Sequence, residues 1–144
     1  MIMTVHQLSI FVENKAGTLV QVLDLLKAAN IQLIASTIAD TMEYGIYRVI
    51  CSEPERAYKE LRAAGISVAL SEVFAITLDH QVGRAADAIR ILKDANIGIS
   101  YMYSFLLGGK GILIFRTDDE ERTRDAIRLH QLSYVSECDL STLV

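Results

Sequence analysis

The sequence predicts an α+β chain of two tandem units, each a four-stranded antiparallel sheet with two helices on one face. Three observations predict it. An offset of 66 positions carries Gly17 onto Gly83, Leu26–Lys27 onto Leu92–Lys93, and Ala29–Asn30–Ile31 onto Ala95–Asn96–Ile97 without an insertion. The same offset carries Gly45–Ile46 onto Gly111–Ile112, Glu55–Arg56 onto Glu121–Arg122, Arg62 onto Arg128 and Ser67 onto Ser133. One structural unit has therefore been duplicated. Within each copy the hydrophobic period alternates between two and 3.6, the mark of strands interleaved with helices. The expected domains are residues 1–71 and 72–144. Units of about 65 residues lie near the lower limit for a core that folds alone, so the two are expected to bury surface against each other.

The elements follow in order. From Gln7 to Glu13, Leu8, Ile10 and Val12 alternate with mostly polar partners, as in a half-buried strand. Leu19, Val22, Leu23 and Leu26 then form one apolar helical stripe. Asn30 ends the helix, Ile31 to Asp40 reads as a strand, Met42 to Gly45 as a turn, and Ile46 to Ile50 as a third strand rich in β-branched residues. Ser52, Pro54 and Glu55 announce a second helix: a serine N-cap, a proline in the first turn and a glutamate reaching back in a capping box. Ala57, Tyr58, Leu61 and Ala64 carry it to Gly65, a C-terminal glycine. Ile66 to Leu70 is the fourth strand. The second copy repeats this order with Val73 to Leu78, a helix through Ala85, Ala88, Ile89 and Leu92, and a strand from Ile97 to Leu107. A Gly108–Gly111 hairpin, Ile112 to Arg116, a helix capped by Asp118 with Glu121, and Leu132 to Glu137 complete it. The order β-α-β-β-α-β, twice, makes each unit a ferredoxin-like sandwich. The tail from Leu140 to Val144 extends past the repeat and is placed to cover a sheet edge or reach a second chain.

Composition excludes several classes of function. The net charge of −4 argues against nucleic acid as a partner, because phosphate binding needs a basic face. No apolar run approaches the roughly 20 residues of a membrane span, and no basic-then-apolar start reads as a signal peptide. Cys51 and Cys138 are too few for a disulfide framework and lack metal-ligand spacing. They read as reduced, core or near-core thiols of a cytoplasmic protein. His6, His80 and His130 show no ligand spacing, so no metal site is expected. No serine, threonine or cysteine sits in a nucleophile context, and the Asp118–Glu121 carboxylates suit helix capping. No catalytic residue and no cofactor are assigned.

Chemistry is expected where the first strand runs into the first helix, through Asn14, Lys15, Ala16, Gly17, Thr18 and Leu19. A glycine there adopts backbone conformations closed to other residues and admits a ligand to the main chain. The helix N-terminus behind it suits a carboxylate. Asn14 adds a donor and an acceptor, and Lys15 a cation. The second copy spells this loop Asp79, His80, Gln81, Val82, Gly83, Arg84. The residues alone leave two readings: a binding loop, or turn glycines with Asn14 as a cap.

The stretch from Val12 to Leu19, followed by Leu25 to Ile31, resembles the signature of ACT domains, small regulatory modules that bind amino acids. Ala16 stands at the usual proline, Asn14 at a position often held by aspartate, and Ala29–Asn30–Ile31–Gln32 at the helix exit. In the second copy Val82–Gly83 replaces Pro-Gly, and Ala85 replaces the large aliphatic residue. The resemblance implies two ACT domains and ligands at the seam where such units pair. The first site would use Asn14, Lys15, Ala16, Gly17, Thr18 and Leu19, and the second His80, Gln81, Val82, Gly83 and Arg84. Walls would come from Ser36, Thr37, Ile38 and Asp40, or from Tyr101, Met102, Tyr103 and Ser104. It implies a regulatory sensor of a free amino acid acting on a partner enzyme of amino-acid metabolism. The open sheet edge that each sandwich leaves predicts a homodimer. The alternative is a module that docks onto such an enzyme and binds nothing small.

Overall fold

A computed structural model describes residues 4–13, 16–40, 45–79 and 81–142. Its elements are β1 (Thr4–Val12), α1 (Ala16–Ala28), β2 (Leu33–Asp40), β3 (Gly45–Cys51), α2 (Pro54–Ala63), β4 (Val68–Leu78), α3 (Arg84–Asp94), β5 (Ile99–Leu107), β6 (Lys110–Thr117), α4 (Glu120–Leu129) and α5 (Glu137–Thr142). The chain divides into two compact units, one of His6–Ser71 and one from Glu72 onward, which also takes in Thr4 and Val5.

In the first unit the strands run β2-β3-β1, with the start of β4 beyond β1. Leu8 faces Val49 and Ile10 faces Tyr47 across β1 and β3. Val22 and Leu26 of α1 and Ala57 and Leu61 of α2 close over these residues in one buried cluster. In the second unit the order is β4-β6-β5. Phe74 faces Phe115, and the rings stack at 5.6 Å between centroids, worth about 0.5–1.5 kcal/mol beyond the area they bury. Ala88 and Leu92 of α3 and Ala126 and Ile127 of α4 complete that core.

The duplication extends to individual hydrogen bonds. Each of α1 to α4 ends in a left-handed residue: Asn30 (φ 56°), Gly65 (81°), Asn96 (59°) and Gln131 (51°). In each, the following aliphatic N–H reaches back to the last turn: Ile31 to Leu26 O, Ile66 to Leu61 O, Ile97 to Leu92 O and Leu132 to Ile127 O, at 2.9–3.0 Å. This is the Schellman ending, which satisfies carbonyls the helix leaves open. The bulge between Leu33 and Ala35 recurs between Ile99 and Tyr101. The Gly108–Gly109 turn, with φ of 59° and 77°, joins β5 to β6 as a two-residue hairpin; the expected turn at Met42 lies outside the described residues.

Five expectations change. The strands expected at Ile66–Leu70 and Val73–Leu78 are one strand, β4, because Ser71–Glu72 supplies no glycine, proline or asparagine to break it. Ser52 does not cap α2. Its Oγ accepts from Gln32 N–H at 2.9 Å, its own N–H donates to Gln32 O at 2.9 Å, and α2 begins at Pro54 behind Glu53, which makes no side-chain cap. Asp118 plays the same part for Gly98, whose N–H reaches Asp118 Oδ1 at 3.0 Å; the α4 cap is Asp119, accepting from Arg122 N–H at 3.0 Å. The strand expected from Leu132 to Glu137 reduces to a single bridge, Tyr134 opposite Ile76. Beyond it the chain turns into α5, where Ser136 N–H donates to Asp139 Oδ2 and Asp139 N–H to Ser136 Oγ, at 3.1 and 3.2 Å. Leu140 of the tail is buried on α5. Cys51 is buried as expected, whereas Cys138 is exposed, because it lies on this unanticipated helix.

Candidate functional site

The two strand-to-helix junctions occupy equivalent places in the repeat but are built differently. At the first, Asn14 and Lys15 lie outside the described residues. Ala16 and Gly17 form the exposed first turn of α1, and Thr18 and Leu19 are half-buried. Leu19 packs on the core of its unit. Gly17 is helical and has no left-handed φ, so the special backbone conformation expected of it is absent. Among the described residues, a Cβ at Gly17 would meet nothing within 4 Å, so none of them covers this turn.

At the second junction His80 lies outside the described residues. Gln81 and Val82 are exposed, and Gly83, at φ 89°, supplies the left-handed N-cap of α3. Asp79 Oδ1 accepts from Gln81 N–H at 3.0 Å, and the Asp79 carboxylate takes Arg84 Nε at 2.9 and 3.0 Å. Arg84 also donates to Asp87 Oδ2 at 3.3 Å and to Gln81 Oε1. The hydrogen bond Arg84 donates to Asp79, then the charge of Asp79 and the hydrogen bond to Asp87, push the Arg84 guanidinium further up. The exposed pairs add little stability. Their effect is local: Asp79 holds both the Gln81 N–H and the Arg84 side chain within the loop. Asp79 is absent from the residues assigned from sequence, although an acid five positions before Arg84 is a readable signal.

The proposed walls separate by strand alternation. On β2, Ser36 and Ile38 face Val49 and Tyr47, whereas Thr37 faces Arg48 on the other side of the sheet. Tyr47 Oη donates to Ser36 Oγ at 3.0 Å, which places Tyr47 beside these residues, a neighbour not assigned from sequence. The side chain of Asp40 is not described. On β5, Met102 and Ser104 face Phe115 and Leu113, and Tyr101 and Tyr103 face Arg116 and Ile114 on the opposite side. Ser36 and Ile38 thus form one set, Met102 and Ser104 another, with Thr37, Tyr101 and Tyr103 on the opposite faces. Among the described residues no group of three His, Cys, Asp or Glu side chains stands close enough to hold a metal ion, and no helix is long and apolar enough to cross a membrane.

Two units in register, βαββαβ in the first and βαββα closed by a single bridge in the second, define a tandem α+β module. The chain belongs to the ACT domain pair family, whose model matches residues 3–144. ACT domains are regulatory, amino-acid-binding modules. Among solved structures, the chain is similar to protein BT0572 from Bacteroides thetaiotaomicron, at 32% identity and a TM-score of 0.91 over 98% of both chains. It shares its fold with the ligand-free regulatory subunit of aspartate kinase from Thermus thermophilus, at 14% identity and a TM-score of 0.62, covering 89% of this chain and 91% of that one. It also shares it with a putative C-terminal regulatory domain of aspartate kinase from Porphyromonas gingivalis, at 12% identity and a TM-score of 0.52, covering 88% and 90%. No curated protein matches the chain.

Proposed function

We propose that this protein is a non-catalytic, cytoplasmic sensor of a free amino acid, made of two ACT domains over residues 1–71 and 72–144. It takes its ligand at the first junction, at an interface between ACT units. The contrast between the junctions carries this reading: the first turn of α1 is open over Gly17, whereas Arg84 is occupied by Asp79, Asp87 and Gln81. The ligand's carboxylate meets the start of α1 at Ala16–Leu19, with Asn14 and Lys15 beside it and Ser36 and Ile38 as a wall. Gln81, Val82, Gly83 and Arg84, beside His80 in sequence, form the closed counterpart, and Met102 and Tyr103 lie on opposite faces of β5. The protein acts as a homodimer through a partner enzyme of amino-acid metabolism, by binding one state of it better than another.

A thermal-shift screen against the twenty amino acids at millimolar concentration tests this. A ligand at about 100 times its Kd adds roughly 2.7 kcal/mol, which moves Tm by several degrees. One selective amino acid is expected, and Gly17→Val is expected to abolish its shift while leaving the unliganded Tm near the native value. Silence across the panel favours the docking module that binds nothing small. An unchanged shift in Gly17→Val moves the site away from the first junction.

A further inference from the structure

The outer strand of the second unit is β5, and its sequence leaves out what ordinarily protects an edge. Over Ile99–Leu107 it reads Ile-Ser-Tyr-Met-Tyr-Ser-Phe-Leu-Leu, without a charge, a proline or a glycine. A long edge of that kind is a template for another strand, which charges, prolines and bulges usually blunt. Its bulge lies at the very start, between Ile99 and Tyr101, and leaves the stretch from Met102 onward regular. The register against β6 fixes which groups face outward. Gly108 and Gly109 make a two-residue turn, so the flanking pair, Leu107 and Lys110, exchanges hydrogen bonds. Tyr103 and Phe105 therefore turn their N–H and C=O groups to β6, while Met102, Ser104 and Leu106 turn theirs to the open edge. The side chains of those three stand on one face and are exposed, Met102 by 50% and Leu106 by 78%. Tyr103 and Phe105, half-buried, stand on the other.

We propose that this edge pairs with β5 of a second copy, antiparallel, about a two-fold axis at Ser104. The inference rests on the homodimer proposed above and names its interface. In this register Met102 faces Leu106 of the second copy and Leu106 faces its Met102. Tyr103 and Phe105 cross in the same way on the opposite face. Apolar then meets apolar and aromatic meets aromatic, the cross-strand pairs that stabilise sheets. An axis at Tyr103 would instead set Met102 against Ser104 and Leu106 against Ser100. Because the same surface serves both copies, the assembly closes as a dimer. β2 is the poorer match: Ile38 is its one large, exposed apolar side chain, and it ends on Asp40.

The oligomeric state of full-chain variants tests this, by size-exclusion light scattering over micromolar concentrations, with circular dichroism to show that each is folded. Leu106→Lys and Met102→Lys are each expected to weaken the dimer by about tenfold or more, because a charge blunts the edge. Met102→Lys combined with Leu106→Glu in one chain sets each lysine opposite a glutamate of the second copy, and should recover the dimer to within about tenfold of native. Ile38→Lys, on β2, should leave it unchanged. A native dimer that persists in folded Leu106→Lys overturns the proposal and leaves the homodimer standing; loss in Ile38→Lys in its place moves the interface to β2. Loss in both single variants without recovery in the double overturns the Ser104 register. A monomeric native chain overturns this interface and the homodimer together.

Discussion

Gly17 and Gly83 are aligned by the repeat and do different work. Gly83 holds a left-handed φ of 89°, a conformation that costs other residues roughly 1–2 kcal/mol, whereas Gly17 lies in an ordinary helical turn with space above it. Gly83→Ala is therefore expected to destabilise the protein by about 1 kcal/mol, while Gly17→Ala is neutral or stabilising by up to about 1 kcal/mol. Urea unfolding midpoints of the two variants measure this; equal losses in both would contradict the difference in backbone. That distinction could not be read from sequence, since both glycines follow a strand and precede an apolar stripe. By contrast, Asn30 and Asn96 were legible as helix ends, because asparagine tolerates the left-handed region that the ending needs. Gln131, in the same conformation, offered no such signal.

At the scale of elements, the first turns of α2 and α4 separate local from distant causes. Asp119 accepts the Arg122 N–H, while Glu53, its counterpart, makes no such bond. Asp119→Ala is expected to cost about 1 kcal/mol, and Glu53→Ala, which loses only an exposed ion pair with Arg56, is expected to cost less. Chemical denaturation of the two variants checks the ranking, and a larger loss for Glu53→Ala would overturn it. The strands and helices were legible because Leu8–Ile10–Val12 and Leu19–Val22–Leu23–Leu26 repeat at periods only one kind of element satisfies. Ser52 was misread because a serine three residues before a glutamate looks the same whether its hydroxyl faces the helix or the backbone 20 residues away. The short α5 was missed because Glu137–Thr142 is too brief to show a helical period. The wall residues were named as runs of neighbours, whereas a pleated strand sends neighbours to opposite sides.

At the scale of the molecule, β2 and β5 are the terminal strands of their units, and both carry exposed apolar side chains: Ile38 on β2, and Met102 and Leu106 on β5. Sheet edges of this kind are paired or blunted in stable proteins, which supports the homodimer. Light scattering after size exclusion is expected to give about twice the chain mass of 16.0 kDa; a clean monomer at micromolar concentration would refute it. The division between the two units falls within β4, after Ser71. Phe74 and Ile76 belong to the core under the helices, while Val73 and Ala75 alternate with them and are also buried. A single residue inserted between Ser71 and Glu72 would exchange these two sets, turning the strand inside out from that point on. The seam left by the duplication, where a doubled gene would ordinarily drift in length, is thus a place where this chain tolerates no change of spacing.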